Sequence, residues 1–322
     1  MITPPVKIAF ADFWSGFDTR DNVFQSILEQ RLGAVIENDP DKADILIYSV
    51  FGQEHHSFPG IRIFFTGESL LPWWDECDYS ITFMRDGMPY PECHLRLPVW
   101  MNRHYFRTNH RIEEYSRDRE AILSRHTRFC NFVYSNGHAS ERLHFLDLLS
   151  RYKPIDCGGR LRNNTGSLAD HKIEFCSRYK FTIAFENYPS AGYTTEKLID
   201  ALAAISLPIY WGDPDAHLEV NPARMINAAD FPSPEALVEQ IIRLDQDDDL
   251  YMQHMTPPIF TDGQPDYEDH LNRLEHFLAG ILKEGRITRH NRPRQKECGP
   301  QWFNHQLMPR HNDGKQWQPL NK

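Results

Sequence analysis

Residues 179–214 read YKFTIAFENYPSAGYTTEKLIDALAAISLPIYWGDP, and the fold can be read from this stretch. Residues 180–185 are a short, apolar, partly β-branched run, which predicts a buried strand. Residues 195–205 carry helical spacing, and 207–211 read as a second strand. Strand, helix, strand at these lengths is a βαβ unit, so the sheet is expected to be parallel. The first strand delivers Glu186 and Asn187 to its carboxyl end, where ligands of open α/β sheets bind. A loop with Pro189 and Gly192 then turns into a helix beginning near Thr194. Free backbone N–H groups at such a start attract anions. Lys197 sits in that first turn, where the helix dipole disfavours a cation by up to ~1 kcal/mol. Either a phosphate lies against the helix or the lysine occupies a tolerated surface position.

Working outward, residues 6–13, 45–50 and 61–66 are predicted strands and 22–32 a helix. Residues 71–107 are aromatic, Pro-rich and acidic, as in long functional loops. A polar stretch, 111–125, reads as a helix bridging two halves. The alternation restarts with a strand at 128–135 and an amphipathic helix at 140–152, and helices follow near 234–244 and 266–283. The expected class is α/β, with a domain over residues 1–125 that includes the bridging helix, a second over 126–285 and a tail over 286–322.

At 322 residues the chain has room for two domains, and 40% hydrophobic with 25% charged residues is a globular mixture. Net charge is 35 − 45 = −10, which argues against a nucleic-acid partner. The tail runs the other way: from Lys283 to Lys322 there are nine Lys or Arg against three acids, interleaved with Trp302, Phe303 and Trp317. Such a segment fits peripheral contact with an anionic membrane, or a solvated tail packed on the body. No apolar run approaches the length of a membrane span, and the opening residues carry no secretion pattern, so a cytoplasmic location is expected. The six cysteines are scattered without close pairs, which predicts reduced thiols.

Three blocks then stand in order: Phe185-Glu186-Asn187, Gly192-Tyr193-x-Thr195-Glu196-Lys197 and Pro208-Ile209-Tyr210-Trp211-Gly212. With residues 132–136 and Arg142 upstream, Asn221-Pro222 and Phe231 downstream, and the segments 64–69 and 95–98, the chain resembles the bacterial α-1,3/4-fucosyltransferases of glycosyltransferase family 10. The resemblance covers residues 62–231 well, the preceding chain weakly and the tail hardly at all.

That resemblance implies a GT-B architecture, two Rossmann-like domains facing across a cleft. The first would bind the acceptor and the second GDP-fucose. It assigns the donor pyrophosphate to Arg142 and Lys197, the nucleotide and fucose pocket to Asn187, Tyr193 and Glu196, and the general base to Glu68. The implied reaction is inverting transfer of fucose to O3 or O4 of an N-acetylglucosamine or glucose unit in an oligosaccharide. Glu68 follows an apolar run at a strand's carboxyl end, and Glu186 is placed as well for a base by position alone. No cofactor or obligatory metal is expected. Asp213-Pro214-Asp215, the run 247–249 and His55-His56 are the residues that tempt a metal assignment, and Arg160 and Arg162 could add positive charge near the donor. Two rival readings remain, a transferase of another GDP-sugar and a non-catalytic carbohydrate-binding relative. The joint presence of Glu68, Arg142, Glu196 and Lys197 speaks against the latter.

Overall fold

The computed structural model describes residues 5–85, 87–88, 90–102, 118–137, 139–265 and 267–284. They fall into two compact units, one holding residues up to 102 with the helix Tyr267–Glu284, the other holding residues 118–264.

In the first unit, strands β1 (Lys7–Ala11), β2 (Val35–Ile36), β3 (Ile45–Tyr48), β4 (Ile61–Phe65), β5 (Tyr79–Thr82) and β6 (His94–Arg96) form one sheet. Its order is β2-β1-β3-β4-β5-β6 and every pairing is parallel. All residues of β3 and β4 are buried, as expected of a parallel sheet covered on both faces. The strand expected over 6–13 stops at Ala11, because Asp12 adopts a φ of 59°, outside the range of strands. The helix expected over 22–32 is a wide turn, Ser26–Arg31, in which Leu32 N–H reaches back to Ile27 O. Residues 71–107, expected as loops, contain β5 and β6. The last helix was expected with the second half. It belongs to the first unit, where Arg31 Nη1 lies 2.8 Å from Glu275 and the rings of Tyr79 and Phe277 meet edge-on at 5.9 Å.

The second unit holds strands β7 (Arg128–Phe132), β8 (Asp156–Cys157), β9 (Tyr179–Phe185), β10 (Leu207–Trp211) and β11 (Ile226–Asn227), in the order β11-β10-β9-β7-β8 and again all parallel. Helices α1 (Arg119–Arg125), α2 (Ser140–Leu149), α3 (Lys172–Cys176), α4 (Glu196–Ala203), α5 (Pro234–Gln246) and α6 (Asp248–Met255) connect and cover them. The fold is α/β with one parallel sheet per unit. Phe132, Phe145, Phe181, Phe185, Ile209 and Leu237 are among the apolar residues packed in the second core. The predicted bridging helix is described from Asp118, which caps α1 by accepting from Ala121 N–H. Residues 111–117 lie outside the described residues. So does the basic tail, with its expected membrane contact. No described helix is long and apolar enough to cross a membrane. The five described cysteines are free and buried.

The second unit is expected to lose stability in mild acid. His126 is buried against Tyr251, whose hydroxyl lies 2.9 Å from His126 Nδ1 and donates to Lys180 O at 3.0 Å. Burial, aided by Arg125 and Lys180, pushes its pKa down to about 4. Between that value and the unfolded value near 6.5 the unfolded chain binds the extra proton, so stability falls as pH falls, by about 3 kcal/mol in all. Denaturant titrations from pH 7 to 4 should show this slope and its loss in His126→Gln. An unchanged slope in the variant would refute the assignment.

Candidate functional site

Strand β9 ends at Phe185, and the next residue, Glu186, is fully buried. Its Oε1 accepts from Thr195 N–H at 2.9 Å, and the Thr195 hydroxyl lies 2.8 Å from both carboxylate oxygens. Lys197 Nζ stands 3.0 Å from Glu186 Oε2, 3.1 Å from Thr195 Oγ1 and 3.5 Å from Glu196 Oε1. Thr195 also caps α4, its hydroxyl accepting from Lys197 N–H. The first turn of α4 is therefore met by a carboxylate of the protein itself. Burial works against the charge on Lys197, but Glu186 and Glu196 outweigh it and hold its pKa above that of an ordinary lysine. Burial likewise pushes the Glu186 carboxyl up, and the Lys197 ammonium counters it. Sequence alone offered a phosphate or a tolerated surface position to explain Lys197. The structure adds a third partner, Glu186, which the linear chain could not show.

This packing depends on Gly212, where a Cβ would lie 2.4 Å from Glu186 Cγ. It also excludes Glu186 as a free base, since both of its oxygens are engaged. Asp213 is occupied too. Its Oδ1 accepts from Gly192 N–H at 2.8 Å and Asp215 N–H at 2.9 Å, and its Oδ2 accepts from the Thr194 hydroxyl at 2.9 Å. Gly192 itself has a φ of 82°, which favours glycine. The Asp-x-Asp pattern thus pins the loop that leads into α4. Asp247 caps α6, accepting from Asp249 and Leu250 N–H.

Arg142 comes from the first turn of α2 and is 1% exposed. Its Nη2 donates to Phe185 O at 2.9 Å and Asn187 Oδ1 at 2.8 Å, its Nη1 to Asn136 O at 3.3 Å, and its guanidinium lies 3.9 Å above the Tyr134 ring. Its Nε has no hydrogen-bond partner. Among the described residues no carboxylate pairs with it. A buried cation held only by carbonyls and a ring is costly unless an anion joins it. Tyr134, which both Arg142 and Lys197 influence electrostatically, connects the two cations, and the buried Tyr193 acts on Lys197. Arg142, Asn187, Tyr193, Glu196 and Lys197 therefore gather in the second unit beyond the carboxyl end of β9. Arg162 is turned away to Asp147, and Arg160 is exposed.

Glu68 belongs to the first unit. It follows β4, is exposed, and its N–H donates to Thr66 Oγ1 at 2.9 Å. Its carboxylate has no partner among the described residues. Beside the end of β4 lies an aromatic group that the sequence reading missed. Phe65 stacks near Phe13 at 6.0 Å, Phe13 on Phe17 at 3.8 Å, and Trp14 contacts Phe17 at 5.1 Å and Phe51 at 6.4 Å. Phe51 is 51% exposed. The signal was present in Phe10-x-x-Phe13-Trp14-x-x-Phe17 directly after the first strand.

Arg142 and Lys197 thus stand at the carboxyl end of a central parallel strand, the place where ligands of open α/β sheets bind. Residues 8–103 match the family described as "Alpha-(1,3)-fucosyltransferase FucT N-terminal domain", and residues 122–256 match "Glycosyltransferase family 10 (fucosyltransferase) C-term". Alpha-(1,3)-fucosyltransferase FucT of Helicobacter pylori is 29% identical over 334 residues, spanning 89% of this chain and 68% of that protein. A crystal structure of alpha1,3-fucosyltransferase superposes with a TM-score of 0.73 at 28% identity, covering 87% of this chain and 90% of that one. A second, with GDP-fucose, gives 0.68 at 27%, covering 85% and 90%. The chain belongs to glycosyltransferase family 10 and is one of its α-1,3/4-fucosyltransferases.

Proposed function

We propose that the enzyme transfers fucose from GDP-fucose, with inversion, to O3 or O4 of an N-acetylglucosamine or glucose unit in an oligosaccharide. The observation that carries this reading is Arg142, a buried guanidinium without a carboxylate partner. The donor pyrophosphate supplies the anion. As the bond from fucose to phosphate breaks, negative charge grows on the departing GDP, and Arg142 and Lys197 stabilise it from preorganised positions. Glu186 and Thr195 engage two of the three N–H bonds of Lys197 and Glu196 stands at 3.5 Å, so a phosphate oxygen would take the third in place of that longer contact. Asn187, oriented by Arg142, and Tyr193 line the sugar and nucleotide pocket, and Glu196 accepts from the ribose.

In the first unit Glu68 takes the proton from the attacking acceptor hydroxyl. Attack opposite the leaving GDP gives inversion, as a base activating water does in inverting glycoside hydrolysis. Trp14, Phe17 and Phe51 offer ring faces against which the apolar face of a sugar ring can lie.

The deciding assay measures GDP release from GDP-fucose with lactosamine-type and lactose-type acceptors, in the presence and absence of a chelator. Acceptor-dependent release that survives chelation is expected, because the two cations occupy the role a divalent ion would have and Asp213 is engaged by the loop. Release that needs an added divalent ion would refute the metal-independent mechanism. Release only with another GDP-sugar would refute the donor assignment.

A further inference from the structure

His55 and His56 lie in a short turn of the β3–β4 connection, and both face Glu76, in the β4–β5 connection. His55 Nε2 is 3.3 Å from Glu76 Oε2, and His56 Nε2 is 2.9 Å from Glu76 Oε1. Three ligand atoms, one from each residue, lie within 4.8 Å of one another. We propose that these three side chains bind a divalent cation of the zinc type, at a site separate from the donor pocket.

Three features support this. First, the spacing fits: an ion with bonds of about 2.0–2.1 Å in tetrahedral geometry sets its ligands about 3.3 Å apart, so His55 and Glu76 already stand at that separation. His56 faces the other carboxylate oxygen, Oε1, at 2.9 Å, so Glu76 would ligate through both oxygens or turn to present one to both rings, all three ligand atoms already lying within 4.8 Å. Second, His55 has the outer partner that a metal-binding imidazole uses. Its Nδ1 is 2.6 Å from Asp12 Oδ2, and the same carboxylate holds the His55 backbone N–H at 3.1 Å. With Nδ1 turned to Asp12, the other ring nitrogen, Nε2, is the one that faces Glu76, at 3.3 Å. This is the arrangement in which a carboxylate orients an imidazole whose far nitrogen ligates a metal. The ring is further fixed by stacking on Tyr48, with centroids 4.1 Å apart and planes at 12°. Third, burial is graded, with His55 inside, Glu76 part-buried and the His56 side chain 48% exposed, which leaves a route from solvent.

Charge is balanced by Asp12 and Glu76, while the nearby Arg62 turns its Nη1 to His55 O at 3.3 Å. The chain between Thr66 and Cys77 carries Glu68 near its start and Glu76 near its end. The ion would therefore tie the segment bearing the proposed base to the turn after β1 and to the β3–β4 connection. This is a bracing role that takes no part in the transfer step.

The test uses the full-length protein, stripped with chelator, and Co²⁺ or Zn²⁺ as the probe. One equivalent of Co²⁺ should give the visible absorption of a tetrahedral site, and Zn²⁺ should abolish it by competition. His56→Ala and Glu76→Gln should each weaken Zn²⁺ binding at least ~10-fold with unchanged circular dichroism. His276→Ala, at an exposed histidine elsewhere, should leave it intact. No tetrahedral band from the wild type, or a band that His56→Ala and Glu76→Gln both retain, overturns the proposal.

Discussion

Glu68→Gln should lower turnover by about 10²–10⁴-fold, the usual contribution of a positioned general base, with GDP affinity changed by less than about twofold. The split between the two readouts follows from placement. Glu68 is in the first unit and Arg142, Asn187 and Lys197 in the second, and the proposed mechanism gives Glu68 the proton and no part in holding the donor. The side chain is exposed and has no partner among the described residues, and its N–H contact to Thr66 does not involve the carboxylate. Glutamine therefore has no reason to disturb the fold. Stopped assays of transfer, paired with calorimetric GDP titration, measure both quantities on one preparation. Wild-type turnover in the variant would remove Glu68 as the base. Glu186 would not replace it, because its oxygens are held by Thr195 and Lys197.

Lys197→Ala is the second large effect, and it acts on stability as well as binding. From the helix dipole alone, removing a cation from the first turn would help the fold slightly. The structure reverses that sign. Glu186 is fully buried, and without Lys197 it keeps only Thr195 as a partner. Removing one member of a buried pair costs about 3–5 kcal/mol, because the other charge is left uncompensated. At roughly 2–4 °C per kcal/mol for a unit of this size, the melting temperature should fall by about 10 °C. The sign of the pH effect is consistent: Lys197 has a raised pKa, so its contribution is complete below the ordinary lysine value and is lost only as pH rises through the folded one. GDP affinity should also fall, by about one to two orders of magnitude, with loss of a charge-assisted contact to pyrophosphate. Adding Glu186→Gln to Lys197→Ala separates the two roles. The amide needs no counter-charge, so the double variant should regain most of the stability and none of the GDP affinity. A single variant that melts like the wild type would refute the account of the buried pair.

The comparison of sequence with structure turns on what neighbours in space supply. Residues 45–48, 61–65, 179–185 and 207–211 were legible as strands because both faces are buried and the runs are apolar. β5 was not, because Ser80 and Thr82 look like loop residues. Both are buried, with Ser80 Oγ 3.0 Å from His94 Nδ1 and Thr82 Oγ1 accepting from Met84 N–H. Helix α6 was missed although Asp247, in the run 247–249, caps it. At the candidate site, Arg142, Asn187, Tyr193, Glu196 and Lys197 were named from the family pattern. That pattern was silent on what Glu186 does, since its partner is eleven residues away and meets it only after β9 and α4 have packed.

The isolation of Arg142 also bears on what happens after bond cleavage. GDP leaves the reaction with one more negative charge than its pyrophosphate carried when esterified to fucose. In the role proposed for it, the guanidinium, paired with no carboxylate among the described residues, would attract that product more strongly than the donor. The group proposed to ease cleavage would thus also hold the spent nucleotide. Product inhibition by GDP is the outcome expected of the role proposed for that buried charge.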